Sequence, residues 1–519
     1  MCAKMRAVVA RPVNVRDGPA DKPCRAPVHH RPALTWSFVA VLAGVAGGVV
    51  FDVPAGRLAA QTPAVPPAIS VDARLNADIE VVKAFRPAYP FWQHIFTIPD
   101  GRIAYGSARD GRLLATFPAK GDWARGAVWV DPSLAASFPD RPLPVKLNDR
   151  RDEMVRRLEP TTGPLLHNPT RGLFLLPNVP RYGPFLDEWG RIYERFGVPA
   201  DLGLSQAILE SGLNGTARSR ANALGLCQWL SRNWQTLNRM SPAVIEAYNQ
   251  TTQAPYCAAY LSILATMYGS FIPALSEHHS GGVNVGRTLI NGERLGGATA
   301  REQYFMGSQF AHNLRDIDLQ RFRDLYRTYG MRSFRYAEMV FGNTITAKRL
   351  REEVRQEQIF AMRTPRAIPM GEITRRTTLT AVEVQRFNPA LQRQVPAKAT
   401  LYLPKPVAEF GADVSFWHRP AGSDYTAALG EFLQLEPGVQ QWHEASFEPV
   451  LQKFRRRFEA TGTEEGAVMA TTLAYVIGDL RTSRRAAILD DFRTNGHILQ
   501  LFRQGVAELA TTLTSGGQP

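Results

Sequence analysis

Cysteine is scarce in this sequence, with four among 519 residues. The chain has no CxxC pair and no cluster of histidine and cysteine at metal-ligand spacing. This lack excludes the usual sequence signatures of zinc and iron–sulfur sites, so we expect no metal ion. Cys2 and Cys24 precede a long apolar segment, whereas Cys227 and Cys257 follow it.

The chain also lacks the basic tracts of a nucleic-acid-binding module. Its formal net charge is +14 at pH 7 and its isoelectric point is about 9.8, but the lysines and arginines are spread along the chain. Such a charge suits an anionic partner, for example an acidic cell-wall polymer or a membrane surface. Because no Lys/Arg run is interleaved with aromatic residues, we expect no nucleic-acid partner.

An apolar segment without charge, ALTWSFVAVLAGVAGGVVF, begins at Ala33 and follows a basic stretch. The motif RLAAQ then allows cleavage after Ala60. We interpret residues 1–61 as a signal peptide or an uncleaved membrane anchor, with a buried helix as the alternative. Either targeted interpretation places the rest of the chain in the periplasm or cell envelope. There Cys227 and Cys257 can form one disulfide, or they can lie as two small buried hydrophobic residues.

Residues 62–183 predict a small β-module followed by a linker, both of unknown role. Three short strand-like runs occupy residues 91–118, and Asp-Gly pairs punctuate them, as is typical of hairpins. Residues 132–183 are rich in proline, asparagine and arginine, and they predict a loop with one short helix at 150–158.

A helical period starts at residue 184 and predicts an all-α block through residue 345. The first helix has one apolar face from Phe185 to Phe196, and Asp201 is a candidate N-cap of the next helix. Further helices are predicted at 242–250, 255–270, 272–280, 300–312, 315–329 and 333–341, with a charged helix at 346–360.

Glu210 ends an apolar helical run, and Gly212 follows it. The negative end of the helix dipole disfavours a second negative charge there, and a partly dry site would raise the pKa of this carboxyl further. A carboxyl that is neutral near pH 7 can serve as a general acid. From these residues alone, a solvated helix end remains the simpler interpretation.

The stretch ESGLNGTARSRANALGLCQWL, which begins at Glu210, resembles the catalytic signature of soluble-lytic-transglycosylase-type lytic transglycosylases. This family belongs to the lysozyme-like superfamily. Asn222 replaces the usual glycine, and Cys227 replaces the usual methionine. The lead-in LLPNVPRYGPFLDEWGRIYERFG resembles that of the family's membrane-bound members. The residues that match the signature are Glu210, Ser211, Ala217, Ser219, Ala223, Gly225, Leu226 and Gln228.

Further residues of the sugar-binding groove are implied by the same resemblance. The segment EHHSGG stands where the family usually has Tyr-Asn-Ala-Gly, so that an imidazole, His279, replaces an amide. An imidazole still donates a hydrogen bond but also titrates. The alternatives are a surface or packing role for His279 and a core role for Tyr336, the counterpart of a later family tyrosine. Substrate-binding roles are thus expected for Ser211, Ser219, Gln228, His279 and Tyr336.

Residues 372–404 resemble a degenerate LysM-type module, the small βααβ fold that binds N-acetylglucosamine chains. The pair Asn388-Pro389 and the final LYLP match the pattern of this module, but the residues that usually open it are largely replaced. The alternative is a linker unit without sugar affinity. Aromatic residues near the acid could stack on sugar faces or simply pack; they are Trp229, Trp234, Tyr248 and Tyr256.

The resemblance implies a peptidoglycan lytic transglycosylase that needs no cofactor. Glu210 would protonate the glycosidic oxygen between N-acetylmuramic acid and N-acetylglucosamine and then act as base on the muramyl C6 hydroxyl, which gives a 1,6-anhydro end. A lysozyme-like hydrolase would need a second carboxylate, for which Asp201, Glu246 and Glu277 are candidates. The third possibility is an inactive peptidoglycan-binding or scaffold protein with cell-wall protein partners.

The expected fold class is multidomain, with a mainly α, lysozyme-like catalytic domain and smaller modules around it. The proposed segments are residues 1–61 (signal peptide or anchor), 62–183 (β-rich module and linker), 184–345 (catalytic domain), 366–405 (LysM-like βααβ unit) and 410–519 (helical region of unknown role).

Overall fold

The described part of the chain, in this computed structural model, comprises residues 70–121, 125–136, 144, 146–317, 334–435 and 447–515. By its internal contacts the chain divides into residues 61–506 and a second unit of residues 1–60 and 507–519. Of the second unit, residues 507–515 are described, and they form the end of the last helix. The predicted signal peptide or anchor lies outside the described residues. Among these, no helix is both long and apolar enough to cross a membrane.

The first described element is a helix that the Pro- and Ala-rich composition around residues 62–90 did not indicate. Helix α1 (Val71–Phe85) begins where the Ser70 hydroxyl accepts a hydrogen bond from the backbone N–H of Ala73. The elements that follow are α2 (Gln93–Thr97), β1 (Arg102–Ser107), β2 (Leu113–Pro118), β3 (Val128–Trp129), α3 (Pro132–Ala136), α4 (Leu147–Thr162), β4 (Leu165–Pro169), α5 (Gly172–Leu175) and α6 (Val179–Tyr182).

Four strands form an antiparallel sheet in the order β3-β2-β1-β4. The predicted β1–β2 hairpin is confirmed, and its turn contains Gly111 with a φ of +75°. A Cβ atom at Gly111 would lie 2.6 Å from the backbone nitrogen of Phe91, so only glycine fits. The short helix predicted at 150–158 is confirmed as the middle of α4, whereas strand β4 was not predicted. Met154 of α4 belongs to the same buried apolar cluster as Tyr105 of the sheet.

The prediction of a first strand near residue 91 is wrong. Residues 89–92 form a 3₁₀ turn that leads into α2. Two apolar pairs, Phe91-Trp92 and Ile95-Phe96, recur four residues apart and are all buried. Because four-residue spacing brings side chains to one side of a helix, both pairs enter the core together.

The central part of the chain is helical, as expected for a lysozyme-like region. A single apolar core extends from α1 to the C-terminal helices, and α10 lies in its interior with nearly every residue buried. The elements here are α7 (Leu186–Arg195), α8 (Ala200–Ser211), β5 (Ala223–Leu224), β6 (Trp229–Leu230), α9 (Ser231–Met240), α10 (Gln250–Tyr268), α11 (Phe271–Ser280), α12 (Gly282–Arg294), α13 (Ala300–Ile317) and α14 (Tyr336–Glu353).

Most of the predicted central helices are present. The helix predicted at 242–250 is wrong: α9 lies before it, and the chain is extended at Ser241, which precedes a proline. Asp201 is not an N-cap, because Pro199 has that position and Asp201 lies in the first turn of α8. Most of the helix predicted at 315–329 lies outside the described residues.

A smaller unit follows α14 and has its own apolar core. Its chain order is β-β-α-α-β-β, followed by one more short strand. Strand β10 pairs antiparallel with β7, and the Asn388 side chain bonds the backbone N–H and carbonyl of Tyr402 in β10. The elements are β7 (Phe360–Arg363), β8 (Ile368–Pro369), α15 (Met370–Thr377), α16 (Ala381–Phe387), β9 (Gln394–Val395), β10 (Thr400–Leu403) and β11 (Ala412–Asp413).

The charged helix predicted at 346–360 ends early, at Glu353. Beyond it, the backbone N–H of Glu357 donates to the Pro184 carbonyl, and that of Ile359 donates to the Glu188 carboxylate. These contacts with the α7 region replace helical hydrogen bonds and hold the chain in a non-helical conformation.

The C-terminal region is helical in its described part, as predicted. Its long helix α19 packs against α10 and α9, so this region covers one side of the central helices. The helices are α17 (Ser423–Leu433), α18 (Phe447–Ala460), α19 (Glu464–Ser483), α20 (Arg485–Thr494) and α21 (Gly496–Ser515). The fold is thus mostly helical with small sheets, and the proposed domain boundaries remain predictions.

Candidate active site

Glu210 is the last residue but one of α8, and the chain turns sharply after it. Gly212 ends the helix with a φ of +58°, and a Cβ atom there would lie 2.0 Å from the Phe174 carbonyl oxygen. Glycine therefore lets the loop leave α8 directly beside α5. The Glu210 carboxylate is left at the helix end with 14 % of its side chain exposed.

Three helices bring polar groups to the Glu210 carboxylate. The Tyr336 hydroxyl, from the start of α14, donates a hydrogen bond of 2.5 Å to Oε1. His279, near the end of α11, places Nδ1 at 3.9 Å from the same oxygen, an ion-pair distance rather than a hydrogen bond. The His279 ring is stacked on the Tyr336 ring, with centroids 4.4 Å apart and planes 10° from parallel. Gln206, one turn before Glu210, donates to the Tyr336 hydroxyl at 3.5 Å.

The electrostatic surroundings of Glu210 contradict the expectation that its pKa is raised. Burial alone raises the pKa of Glu210, as predicted. The contact with His279, the charges of both neighbouring imidazoles and the Tyr336 hydroxyl together outweigh burial. The pKa of Glu210 therefore lies below its ordinary value of 4.5, and the prediction of a raised value is wrong.

The pKa values of Tyr336 and His278, which lie beside the acid, are shifted as well. Burial, followed by the charge of Glu210, raises the pKa of Tyr336 well above its ordinary value, so this phenol remains a hydrogen-bond donor. Burial lowers the pKa of His278, whose Nε2 lies 2.6 Å from the Cys227 carbonyl oxygen. His278 is thereby held against the loop that follows α8.

That loop is held by several of the residues with expected substrate roles. The Ser211 hydroxyl donates to the Leu226 carbonyl at 2.8 Å. The Gln228 amide donates to two loop carbonyls at 3.0 Å each, and Gln228 has a φ of +50°. The Ser219 hydroxyl is exposed and accepts from the Ala223 N–H at 3.0 Å. These three side chains thus fix the loop, and substrate contacts by any of them stay predictions.

Gln253 is a loop-fixing residue that the sequence motif did not reveal. Its side-chain oxygen accepts from the Leu226 N–H at 2.8 Å, from a position in the buried helix α10. A Cβ atom at Gly225 would lie 2.1 Å from this oxygen. A buried glutamine within an apolar helix was the signal that could have indicated such a role.

Cys227 and Cys257 form a disulfide in the structure, with their Cα atoms 6.3 Å apart. The bond joins the loop to α10, and both residues are buried. Since the Cys227 carbonyl also contacts His278, the disulfide, the loop and the histidine pair form one connected unit.

Reducing this disulfide is expected to destabilise the protein by about 3–4 kcal/mol. The two cysteines are 30 residues apart, and chain entropy predicts that magnitude for a loop of this length. Urea unfolding of the oxidised and the fully reduced chain would measure the difference. The control is a Cys227→Ala/Cys257→Ala variant, whose transition should not respond to the reductant. Equal midpoints for oxidised and reduced wild type would contradict the prediction.

The aromatic residues near the acid pack rather than line an open groove. Trp229 is buried, and its ring lies 4.4 Å from that of Tyr260 and 4.9 Å from that of Tyr475. Trp234 and Tyr256 are buried as well, and Tyr248 is half-buried. Sugar stacking on the three buried rings is therefore not supported.

Each candidate for a second carboxylate is held by other partners. Asp201 forms an ion pair with Arg351. Glu246 accepts a hydrogen bond from Thr252, and burial raises the pKa of Glu246 to about 7. Glu277 forms a buried ion pair with Arg485 and accepts a hydrogen bond from the Tyr268 hydroxyl.

Glu277 nevertheless directly precedes the histidine pair, so its anchoring fixes the end of α11 that carries His278 and His279. Arg485, at the start of α20, thus connects the C-terminal helices to the helix that faces Glu210. The sequence alone gave no indication of this partner.

The geometry just described lies within a region that resembles a known family. Residues 188–297 match the family model described as Transglycosylase SLT domain. A search of curated proteins finds no match. The SLT-matched region contains Glu210, the loop, both disulfide cysteines and the histidine pair, but ends before Tyr336.

The SLT match supports a lytic-transglycosylase-type, lysozyme-like domain in this part of the chain. It thereby supports transglycosylase action on peptidoglycan in general and implies that peptidoglycan is the substrate. Proteins with this domain act on the cell wall, in the periplasm or envelope. The match covers residues 188–297 and does not test the roles of the modules on either side.

Proposed function

We propose that this protein is a lytic transglycosylase that cleaves the bond between N-acetylmuramic acid and N-acetylglucosamine and leaves a 1,6-anhydro end. The observation that carries the proposal is the arrangement at Glu210. One largely buried carboxylate is contacted by Tyr336 and faced by His279, while the three candidates for a second carboxylate are engaged elsewhere.

A single carboxyl group suffices for this reaction. Glu210, once protonated, gives its proton to the glycosidic oxygen as the bond to C1 breaks. The C6 hydroxyl of the same muramyl residue attacks C1, and this intramolecular nucleophile replaces both water and a second carboxylate. Tyr336 donates to Oε1 of Glu210 and so holds the carboxyl in one orientation.

The test is product analysis. Purified sacculi are incubated with the full chain, and the released muropeptides are identified by mass. Anhydro products, lighter by one water than those of hydrolysis, are expected. Products with reducing ends would instead support a lysozyme-like hydrolase. Sacculi that bind the protein without releasing any product would support an inactive binding protein.

The inactive binding or scaffold protein is the second candidate because one observation favours it. The neighbouring imidazoles and the Tyr336 hydroxyl outweigh burial and lower the pKa of Glu210. A carboxyl that favours its ionised form is a poorer proton donor.

Two features outside the SLT-matched region extend the proposal. In the unit from β7 to β10, two consecutive helices lie between strands that pair antiparallel, which supports a LysM-like module that binds N-acetylglucosamine chains. An N-terminal signal peptide or anchor would place the enzyme in the periplasm or at the membrane. Binding of this unit to sacculi would test the LysM-like module. The N-terminal sequence of the mature protein would show whether the signal peptide is cleaved.

A further inference from the structure

We propose that His279 is the base that removes the proton of the attacking C6 hydroxyl, while Glu210 acts only as the acid. This inference rests on the proposed transglycosylase function and deepens it, because it assigns two proton transfers to two residues.

The contacts of the Glu210 carboxylate are the first argument. Both the Tyr336 hydroxyl and the His279 imidazole approach Oε1. In this assignment the second carboxylate oxygen, Oε2, protonates the glycosidic oxygen. After that proton has left, the contacts from Tyr336 and His279 stabilise the carboxylate, which makes it a weaker base.

The position of His279 is the second argument. The side chain of His279 is 35 % exposed, compared with 14 % for Glu210, so a substrate can reach its ring edge. Nδ1 is the ring nitrogen that faces Glu210, which leaves Nε2 for the substrate. Stacking on Tyr336 fixes the plane of the ring.

The neighbouring His278 differs from His279 in the ring nitrogen that is engaged and in the residues that surround its ring. His278 uses Nε2 on the Cys227 carbonyl, and its ring lies among Trp229 and Tyr260. It is therefore a structural residue of the loop anchor. The two adjacent histidines thus have separate roles, and only His279 has a ring nitrogen free to face a substrate at the acid.

The proton balance closes over one turnover. Glu210 protonates the leaving oxygen at C4 of N-acetylglucosamine, the bond from C1 to that oxygen breaks, and the C6 oxygen bonds to C1 as its proton passes to Nε2 of His279. The site then holds a carboxylate and an imidazolium. Nδ1 returns a proton to Oε1, and exchange with water at the exposed ring edge restores the starting tautomer of His279.

The other titratable groups around His279 do not serve as the base. They are Glu210 from α8, Tyr336 from α14 and His278 on α11. Burial, followed by the charge of Glu210, raises the pKa of Tyr336, so this phenol keeps its proton. His278 is held on the Cys227 carbonyl through Nε2.

The test compares the initial rate of anhydro-muropeptide release from sacculi between wild type and His279→Asn at neutral pH. We expect a loss of about 10²-fold, because the asparagine cannot accept a proton. Added imidazole should restore part of the activity of His279→Ala, because a free imidazole can take the place of the missing base.

His497→Asn is the matched control, because His497 is exposed on α21 and far along the chain from the site. It should keep the wild-type rate. If His279→Asn does not fold, as judged by circular dichroism, His279→Gln provides the same comparison with a longer side chain.

A wild-type rate in His279→Asn, or a His279→Ala variant that imidazole does not rescue, would overturn the assignment of His279 as base. These results leave the proposed function intact, because wild type would still release anhydro products. If wild type itself releases none, the proposed function fails, and the assignment fails with it. The two failures are therefore distinguishable from the wild-type products alone.

Discussion

Glu210→Gln is expected to lower the rate of anhydro-muropeptide release by about 10²–10⁴-fold, the usual contribution of a general acid. The substitution keeps the size of the side chain and an oxygen that can accept the Tyr336 hydrogen bond. It removes the group that protonates the leaving oxygen in the proposed mechanism. The measurement is the quantity of anhydro product formed per unit time at a fixed amount of sacculi.

The matched control for this variant is Glu353→Gln. Glu353 is also a glutamate at a helix C-terminus, but its side chain is 64 % exposed and lies 4.0 Å from Arg349. Both variants should bind sacculi and unfold at temperatures close to that of wild type. Full activity in Glu210→Gln would remove the acid role of this residue and with it the proposed mechanism.

Replacing Arg485 is expected to have the largest effect on stability. Arg485 and Glu277 are paired in the core, and each side chain is only 3 % exposed. Arg485→Met would leave a buried carboxylate without its partner, which costs about 3–5 kcal/mol. The midpoint of urea denaturation measures this loss. Because Glu277 adjoins the histidine pair, we also expect lower activity in the folded fraction.

Two further variants separate burial of the unpaired charge from loss of packing. Arg455→Met removes one partner of an exposed pair with Glu459 and should cost no more than about 1 kcal/mol. The double variant Glu277→Leu/Arg485→Met removes both buried charges and should recover much of the lost stability. If Arg485→Met costs no more than Arg455→Met, the buried pair does not have the role given to it here.

Features that depend on neighbours in the chain could be predicted. The β1–β2 hairpin follows from an Asp-Gly turn between apolar strands, and α7 follows from its apolar face. The position of Glu210 before a glycine that ends α8 also follows from local pattern. The prediction for Phe91 failed although it was local, because the run of apolar residues fits a strand and a buried helix alike.

Other features depend on residues that meet only in the folded chain. The hydrogen bond to Glu210 comes from a tyrosine 126 residues away, and the partner of Glu277 is 208 residues away. The burial of Trp229 requires Tyr475 from the C-terminal helix α19. A motif places residues in order along the chain, but it does not give the distances between them in space.

The sequence by itself determined that a glutamate ends an apolar helix before a loop with the spacing of a catalytic signature. Only the tertiary structure decided in which direction the pKa of that glutamate is shifted. Helix dipole and burial both favour the neutral acid, yet His279 and Tyr336 approach the carboxylate and favour its charge. Electrostatic interactions act through space and strengthen in a partly dry site, so their sum follows from the packing of α8, α11 and α14 rather than from local sequence.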